Sequence, residues 1–273
     1  MVAKTDVAAK NNTAVGQALD FSQDAGAGLE GVDKNSLAIP FISLLQPLSP
    51  QCQEVSDGGV EGAKAGMFIN SITNELYKTV LVMPVAFQRA FLRWAPNRGG
   101  YRGQYPGSDV DAGKVPNVIN VNGKLLIDVP EGTKDVLDAE GRPKFDFLSD
   151  TRNHFVLAKT NSGQWVPALI SLGSTQIKKS KRWLSLISGI ELKDANGNPF
   201  TPSSFSHIYE IGSVKEENDK GKWHGVTIQL VEPVTDGAAY AKAKKFNADV
   251  VAGGVEVAPP MEESVAGSDS EKF

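Results

Sequence analysis

Residues 164–189 read QWVPALISLGSTQIKKSKRWLSLISG, which joins the strongest strand signal of the chain to its clearest helix signal. Val166 to Leu172 form a nearly unbroken apolar run of strand length, and such a run predicts a strand covered on both faces. Ser174 or Thr175 can cap the following helix by accepting a hydrogen bond from its first free backbone amides. Gly189 tolerates the left-handed dihedral angles that often end a helix. The stretch therefore predicts a buried strand that leads directly into a helix.

The predicted helix is amphipathic, and its outer face carries only positive charge. At about 100° per residue, the inner face collects Ile177, Ser180, Trp183, Leu184 and Ile187. The opposite face collects Lys178, Lys179, Lys181 and Arg182. Like charges on a helix repel by roughly a few tenths of a kcal/mol per pair, which is a small cost. Taken alone, this helix face is therefore compatible either with simple exposure to solvent or with binding a ligand.

The composition is typical of a soluble globular protein. The chain has 273 residues, of which 22% are charged and 41% are hydrophobic. It has no apolar run near the roughly 20 residues that cross a bilayer, and its first residues lack the apolar core of a signal peptide. We therefore expect a cytoplasmic protein with no membrane partner. Cys52 is the single cysteine, which argues against a disulfide framework or a cysteine-based zinc site, and we expect no metal and no cofactor.

The acidic residues are concentrated at the two ends of the chain. The net charge is −4, of which residues 259–273 contribute −3 and residues 1–36 contribute −2, leaving +1 for residues 37–258. The overall acidity therefore does not exclude a polyanionic partner for the central part of the chain.

The sequence divides into segments of different composition. Residues 1–36 are rich in Ala, Gly, Asn and Asp without periodicity, which predicts a flexible N-terminal arm. An ordered domain is expected at 37–235, with a weakly ordered insertion at 95–150. A C-terminal helix is expected at 236–252, and a disordered acidic tail at 253–273.

The ordered domain is predicted to be mainly β with some α. Its principal strands are expected at Val80–Trp94, His154–Lys159, Trp165–Leu172, Ser206–Val214 and Trp223–Val231. The basic helix lies between the third and fourth of these strands, and the long insertion follows the first. This is the element order of an OB-fold, a small Greek-key barrel, in which the ligand crosses the second and third strands between the first and last interstrand loops.

Three local signals add detail to this scheme. Pro84 is expected to mark a bend in the long first strand, because proline in a sheet is confined to edges and bulges. Asn122-Gly123, between apolar runs, predicts a hairpin within residues 118–129. The charged residues 216–222 predict a turn between the last two strands.

The stretch from Arg89 to Gly107 is rich in arginine, aromatic residues and glycine, and it contains no acidic residue. Guanidinium groups pair with phosphates, and aromatic rings stack on bases without regard to their identity, at about 1–3 kcal/mol per base. The candidates for nucleic-acid contacts here are Arg89, Arg93, Trp94, Arg98, Tyr101, Arg102 and Tyr105. The alternative is an ordinary loop in which Trp94 fills the core.

Further candidates lie elsewhere in the chain. Trp165 and Trp223 each begin a strand beside a turn, where an exposed ring could stack on a base, although burial under a loop is equally open. Lys178, Lys179, Lys181 and Arg182 of the helix would form a second line of phosphate contacts. The acidic tail ends in Phe273, and Asp269, Glu271 and Phe273 are the candidates for docking a partner protein. A tail that only adds solubility is the alternative.

Catalytic motifs are lacking in the sequence. We find no HExxH, no Walker A, no GxSxG and no GxGxxG entering a helix, and the three histidines are scattered. Asp146, Asp150 and Glu210 could be assembled into a metal-dependent nuclease site, which we keep as an alternative. The expected protein is not an enzyme.

The chain resembles the single-stranded DNA-binding proteins of tailed bacteriophages. The resemblance lies in Asp150–Leu157 (DTRNHFVL), in PALISL leading into STQIKKSKRW (residues 167–183), in the segment around Trp94 and in the acidic tail ending in Phe273. It covers about residues 39–235 plus the tail, and none of its motifs is diagnostic. It implies an OB-fold, a role in DNA replication or recombination in the host cytoplasm, and a tail that recruits replication or recombination proteins. Lys272 departs from the acidic and aromatic run expected beside such a phenylalanine.

The hypothesis is therefore a protein that binds single-stranded DNA without strong sequence preference. A phage structural or scaffolding-type protein is the first alternative, because flexible ends and a β-rich body also suit that role. The metal-dependent nuclease is the second. Homo-oligomerisation is open.

Overall fold

The computed structural model describes residues 27, 28, 30, 38–219 and 221–253. The chain divides into two compact units, Met1–Leu37 and Ala38–Phe273, and all described helices and strands lie in the second. Most of the predicted arm, and the tail beyond residue 253, lie outside the described residues. The tail candidates Asp269, Glu271 and Phe273 are among them.

The described part of the second unit is mainly β, with three α-helices. The strands are β1 Ile42–Leu44, β2 Phe68–Asn70, β3 Leu76–Tyr77, β4 Val80–Trp94, β5 Tyr101–Pro106, β6 Val118–Val121, β7 Lys124–Ile127, β8 Phe147–Lys159, β9 Trp165–Gly173, β10 Leu192–Lys193, β11 Pro199–Phe200, β12 His207–Asn218 and β13 Gly221–Pro233. The helices are α1 Gly107–Asp111, α2 Ile177–Ser188 and α3 Gly237–Val251. None of these helices is both long and apolar enough to cross a membrane.

The principal sheet has eight antiparallel strands. Its main path runs β13-β12-β4-β8-β7-β6, with β5 paired to β4 and β9 paired to β8. Strands β1, β2 and β3 form a second small sheet, and β10 and β11 form a third. The antiparallel sheets and few helices confirm the predicted α+β class. No sheet among the described residues closes into a barrel, so the predicted barrel is not confirmed.

Strand β4 organises the sheet because it pairs with β12, β8 and β5 along its 15 residues. Its register against β8 shifts between Pro84 and Ala86, which is the predicted bend. Asn122 and Gly123 both have positive φ, at 52° and 80°, and they connect β6 to β7 as a tight hairpin. Both local predictions are confirmed.

The last two strands are longer than predicted. β12 and β13 pair from His207 with Pro233 to Asn218 with Gly221, so most of the expected turn at 216–222 is strand. Charged residues on both faces of the hairpin end are compatible with a two-stranded ribbon exposed to water. The predicted turn lies between β12 and β13 as expected, but its predicted extent of residues 216–222 was too long.

The sheet carries an apolar layer on each face. On one face, Val156, Ala168 and Ile170 pack with Trp183 of α2. On the other, Phe155 and Leu169 pack with α3 through Ala239, Ala243, Phe246 and Val250. β9 is therefore covered on both faces, as its unbroken apolar run predicts.

Helix α2 begins later and is capped differently than expected. Ser174–Gln176 form a short 3-10 turn, the α-helix starts at Ile177, and no side chain caps its first amides. Gly189 follows the last turn with φ −84°, so it does not adopt the left-handed conformation. Ser180 and Trp183 are fully buried, which confirms the predicted inner face.

His154 on β8 is buried against α2. Its ring stacks on Trp183 with centroids 4.5 Å apart, and its Nε2 lies 2.8 Å from Ser180 Oγ. Burial, with a smaller contribution from the Arg152 charge, lowers the pKa of His154 to about 3. The native protein therefore keeps His154 neutral where the unfolded chain takes up a proton.

Folding stability should accordingly fall as the pH drops from about 6.5 towards 3, because only the unfolded state is protonated at His154 in that window. The slope contributed by one such group approaches about 1.4 kcal/mol per pH unit. We expect His154→Gln to remove most of this contribution. Urea unfolding of both proteins between pH 6.5 and 4.5 measures it, and equal pH slopes for the two would contradict the assignment.

Candidate nucleic-acid interface

The outer face of α2 presents three cations with no counter-charge. Lys178, Lys181 and Arg182 are exposed, and none of them has a carboxylate partner within residues 38–219 and 221–253. We call these three residues the α2 basic face. Lys179 differs, because its Nζ lies 2.8 Å from Glu216 Oε1 of β12. Three of the four predicted helix contacts are thus available to an anionic ligand.

A shallow groove runs between α2 and the edge strand β13. It is lined by Lys179 and Arg182 of the helix and by Val226 to Gln229 of the strand, and its volume is about 200 Å³. Where another strand would pair, the Val226 N–H donates instead to Gln176 Oε1 at 3.0 Å. On the strand side, Thr227 and Gln229 supply polar side chains.

Glu216 joins the helix to Trp223 of β13. Its carboxylate accepts a hydrogen bond from Trp223 Nε1 at 2.9 Å in addition to its ion pair with Lys179. Lys179, and to a smaller extent Trp223, hold the pKa of Glu216 below its ordinary value. A Cβ at Gly225 would lie 2.3 Å from Glu216 Oε2, so only glycine leaves room for this arrangement. Half-buried Trp223 lies on the same strand face as Thr227 and Gln229.

Three of the four predicted phosphate-binding arginines in the stretch from Arg89 to Gly107 are already paired with carboxylates. Arg89 forms ion pairs with Asp111 and, at 3.0 Å, with Asp150. Hydrogen bonds to Asp150 raise the pKa of Arg89 above its ordinary value.

Arg93 lies between Asp146 at 2.7 Å and Asp128 at 2.9 Å, and Arg102 reaches Asp146 at 3.4 Å. The charge of this segment is therefore largely neutralised inside the protein. The acids come from the insertion and from β8, outside the acid-free stretch.

The aromatic residues of this segment are turned inward. Trp94 is 7% exposed and meets Tyr101 edge to face at 5.9 Å, while exposed Arg98 lies over its ring. Tyr105 packs against a small core formed with Phe91. The buried Trp94 ring offers no face to a base, so the alternative in which Trp94 fills the core describes the structure.

Trp165 is half-buried on the face of the sheet that α3 covers. Lys159 Nζ lies 5.6 Å from the centre of the Trp165 ring, and the Trp165 carbonyl oxygen accepts a hydrogen bond from Lys242 of α3 at 2.6 Å. α2 packs on the other face of the same strands. Trp165 and the α2 basic face are therefore on opposite sides of the sheet and do not line a common groove.

The acids considered for a nuclease site are held in other contacts. Asp146 and Asp150 pair with arginines, and Glu210 accepts a hydrogen bond from Thr79 at 3.3 Å. In the part of the chain that the structure describes, no group of three His, Cys, Asp or Glu side chains is arranged to hold a metal ion.

Comparison with known proteins identifies a family for the chain. No curated protein and no solved structure matches the chain. A family model described as Pam3 phage gp34-like protein matches residues 9–256, which is most of the sequence and includes every described helix and strand. The chain therefore belongs to the Pam3 phage gp34-like family.

Proposed function

We propose that this phage protein binds single-stranded DNA through α2 and the edge of β13, during replication or recombination of phage DNA, and that it is not an enzyme. The observation that carries the proposal is the α2 basic face, where Lys178, Lys181 and Arg182 stand exposed without a carboxylate partner among the described residues. The bacteriophage family is compatible with this role.

The charge arrangement favours a polyanion over a small anion. The three cations occupy adjacent turns of one helix, and like charges at this spacing repel one another. A phosphodiester backbone offers a row of negative charges that relieves this repulsion, and each phosphate contact releases a bound counterion. Of the other arginines proposed from the sequence, Arg89, Arg93 and Arg102 pair with carboxylates and exposed Arg98 lies over the Trp94 ring, so α2 carries the proposal.

Features beside the helix favour an unpaired strand. Trp223 supplies a half-buried ring on the same face of β13 as Thr227 and Gln229, close to Lys179 through their shared Glu216. Rings stack on bases whose faces are free, which a single strand offers and a duplex does not. Thr227 and Gln229 can donate and accept hydrogen bonds at base edges.

The strand pairing also bears on an OB-fold relationship. β4 pairs with β8 and β12, β9 pairs with β8, and β13 pairs with β12, while α2 contacts both β9 and β13. We propose that this is an OB-related sheet left open between β9 and β13, with α2 at the opening. The usual ligand face of the second and third strands is covered by α3 here, which favours binding at the opening.

The test is a titration of the full chain into fluorescently labelled oligo(dT) of 30 nucleotides, followed by anisotropy at several salt concentrations. We expect saturable binding at low salt, with log K falling against log salt at a slope of about −2 or steeper, since each phosphate contact on a single strand contributes about 0.7. A duplex of equal length should bind more weakly. Absence of binding at low salt rejects the proposal and favours the structural alternative.

A further inference from the structure

A second groove lies along the β12 edge, where β12 has passed its last pair with β4. Its volume is about 470 Å³, and three lysines from distant parts of the sequence line it. Lys64 precedes β2, Lys78 lies between β3 and β4, and Lys215 lies on β12. None of the lining residues is acidic. We call this the lysine groove.

The walls of the lysine groove are fixed by contacts between distant segments. Gln46 clamps the backbone of His224, accepting from its N–H at 2.9 Å and donating to its carbonyl at 3.0 Å. Ser213 Oγ donates to the Gly66 carbonyl at 2.5 Å. Gly66 has φ +90°, and a Cβ there would lie 2.6 Å from His224 Nδ1, so glycine is needed for the loop to approach the ring. The groove is preformed.

The three lysines are free of counter-charges. All are exposed, and within residues 38–219 and 221–253 none of their ammonium groups has a carboxylate or hydrogen-bond partner. The nearest acids along the hairpin are engaged elsewhere, because Glu217 pairs with Lys222 at 3.1 Å and Glu216 pairs with Lys179. Three cations around a fixed groove are suited to an oxyanion that accepts several charge-assisted hydrogen bonds.

We infer that the lysine groove binds phosphate groups, and that its ligand is the backbone of a strand already held by the α2 basic face. This deepens the proposed function and rests on it. Lys215 directly precedes Glu216, and neighbouring residues of a strand point to opposite faces. Since Glu216 contacts α2, the two sites flank the β12–β13 hairpin. A bound strand that passes around the hairpin contacts both.

The test compares the full chain with a variant carrying Lys64→Gln, Lys78→Gln and Lys215→Gln. We expect the variant to bind the labelled 30-nucleotide oligo(dT) at least about tenfold more weakly at low salt. Its salt slope should be shallower by about 2, since three phosphate contacts of about 0.7 each are lost. The control carries Lys134→Gln, Lys144→Gln and Lys244→Gln, three exposed lysines outside the groove with the same loss of charge, and should bind like the parent.

The outcomes separate this inference from the proposed function. One outcome would contradict the inference: the parent binds oligo(dT), charge reversal of the α2 basic face abolishes this binding, and the groove variant binds as tightly as the parent. The lysine groove is then not a phosphate site for the strand.

If the parent does not bind oligo(dT), the proposed function fails, and inorganic pyrophosphate is titrated into the isotopically labelled parent. Shifts of the Gly66, Ser213 and Lys215 amide signals that are absent in the groove variant would retain a site for free phosphate. If the parent shows no such shifts, the inference is overturned as well.

Discussion

The variant Lys178→Glu, Lys181→Glu, Arg182→Glu is expected to bind single-stranded oligo(dT) at least about 100-fold more weakly than the parent chain. Each substitution removes a phosphate contact and replaces it with a repulsive one, and both effects act on the dominant electrostatic part of the affinity. The fold should be unaffected, because the three side chains are exposed and unpaired among the described residues, and such surface changes usually stay within about 0.5 kcal/mol. Anisotropy titration gives the affinity, and urea unfolding checks stability.

A matched control distinguishes a specific site from net charge. Lys242→Glu, Lys244→Glu and Lys245→Glu on α3 change the net charge by the same amount on a helix that covers the other face of the sheet. Their existing contacts are exposed, including the pair of Lys245 with Asp249, and such pairs contribute little stability. We expect less than about a threefold loss of affinity. Equal losses in the two triple variants would mean that overall charge, and not α2, governs binding.

The sequence predicts best the elements whose burial follows from the periodicity of a short segment. β9 reads as an apolar run and is packed on both faces, and the 3.6-residue pattern of α2 places Ser180 and Trp183 inside. The Asn122-Gly123 hairpin follows from backbone preference at two residues. In each case the information lies within one short segment.

The arginine-rich stretch shows where such reasoning fails. Its acid-free sequence suggested free guanidinium groups, but the carboxylates that meet Arg89 and Arg93 come from positions 22 to 61 residues further along the chain. Asp146 and Asp150 arrive because β4 pairs with β8 in a register that sets Phe91 opposite Asp150, whereas Asp111 lies on α1 and Asp128 follows β7. Register across a long insertion is a tertiary property, which composition and spacing do not encode.

The lysine groove was missed for the same reason. Lys64, Lys78 and Lys215 are isolated in sequence, and none belongs to a run of charge that would attract notice. The pairing of β12 with β4 and β13, the clamp of Gln46 on His224 and the Ser213–Gly66 hydrogen bond bring their segments together. The helix cations, by contrast, are neighbours in sequence, and helical periodicity places all four on one face. Lys179 differs from the other three only because it forms an ion pair with Glu216.

Trp183→Ala is expected to lower the free energy of unfolding by about 3–5 kcal/mol, the range for removing a large aromatic side chain from a core. Trp183 is fully buried, stacks on His154 at 4.5 Å and meets Tyr209 edge to face at 6.0 Å, so no neighbour can easily fill the space. Because this side chain anchors α2 to the sheet, its loss should also weaken DNA binding by loosening the helix that carries the cations. Urea unfolding and oligo(dT) titration of the same variant measure the two effects.

Trp183→Phe is the matched control, and its cost should be clearly smaller. The indole Nε1 is buried and has no hydrogen-bond partner in the described structure, so replacing tryptophan by phenylalanine removes an unsatisfied polar group together with part of the ring. We expect a loss below about 2 kcal/mol and retained DNA affinity. If Trp183→Ala lowers the free energy of unfolding no more than Trp183→Phe does, Trp183 does not anchor α2, and this contact does not position the α2 basic face. If alanine destabilises the fold strongly but the folded fraction still binds DNA at parental affinity, α2 positioning is not what the ligand requires.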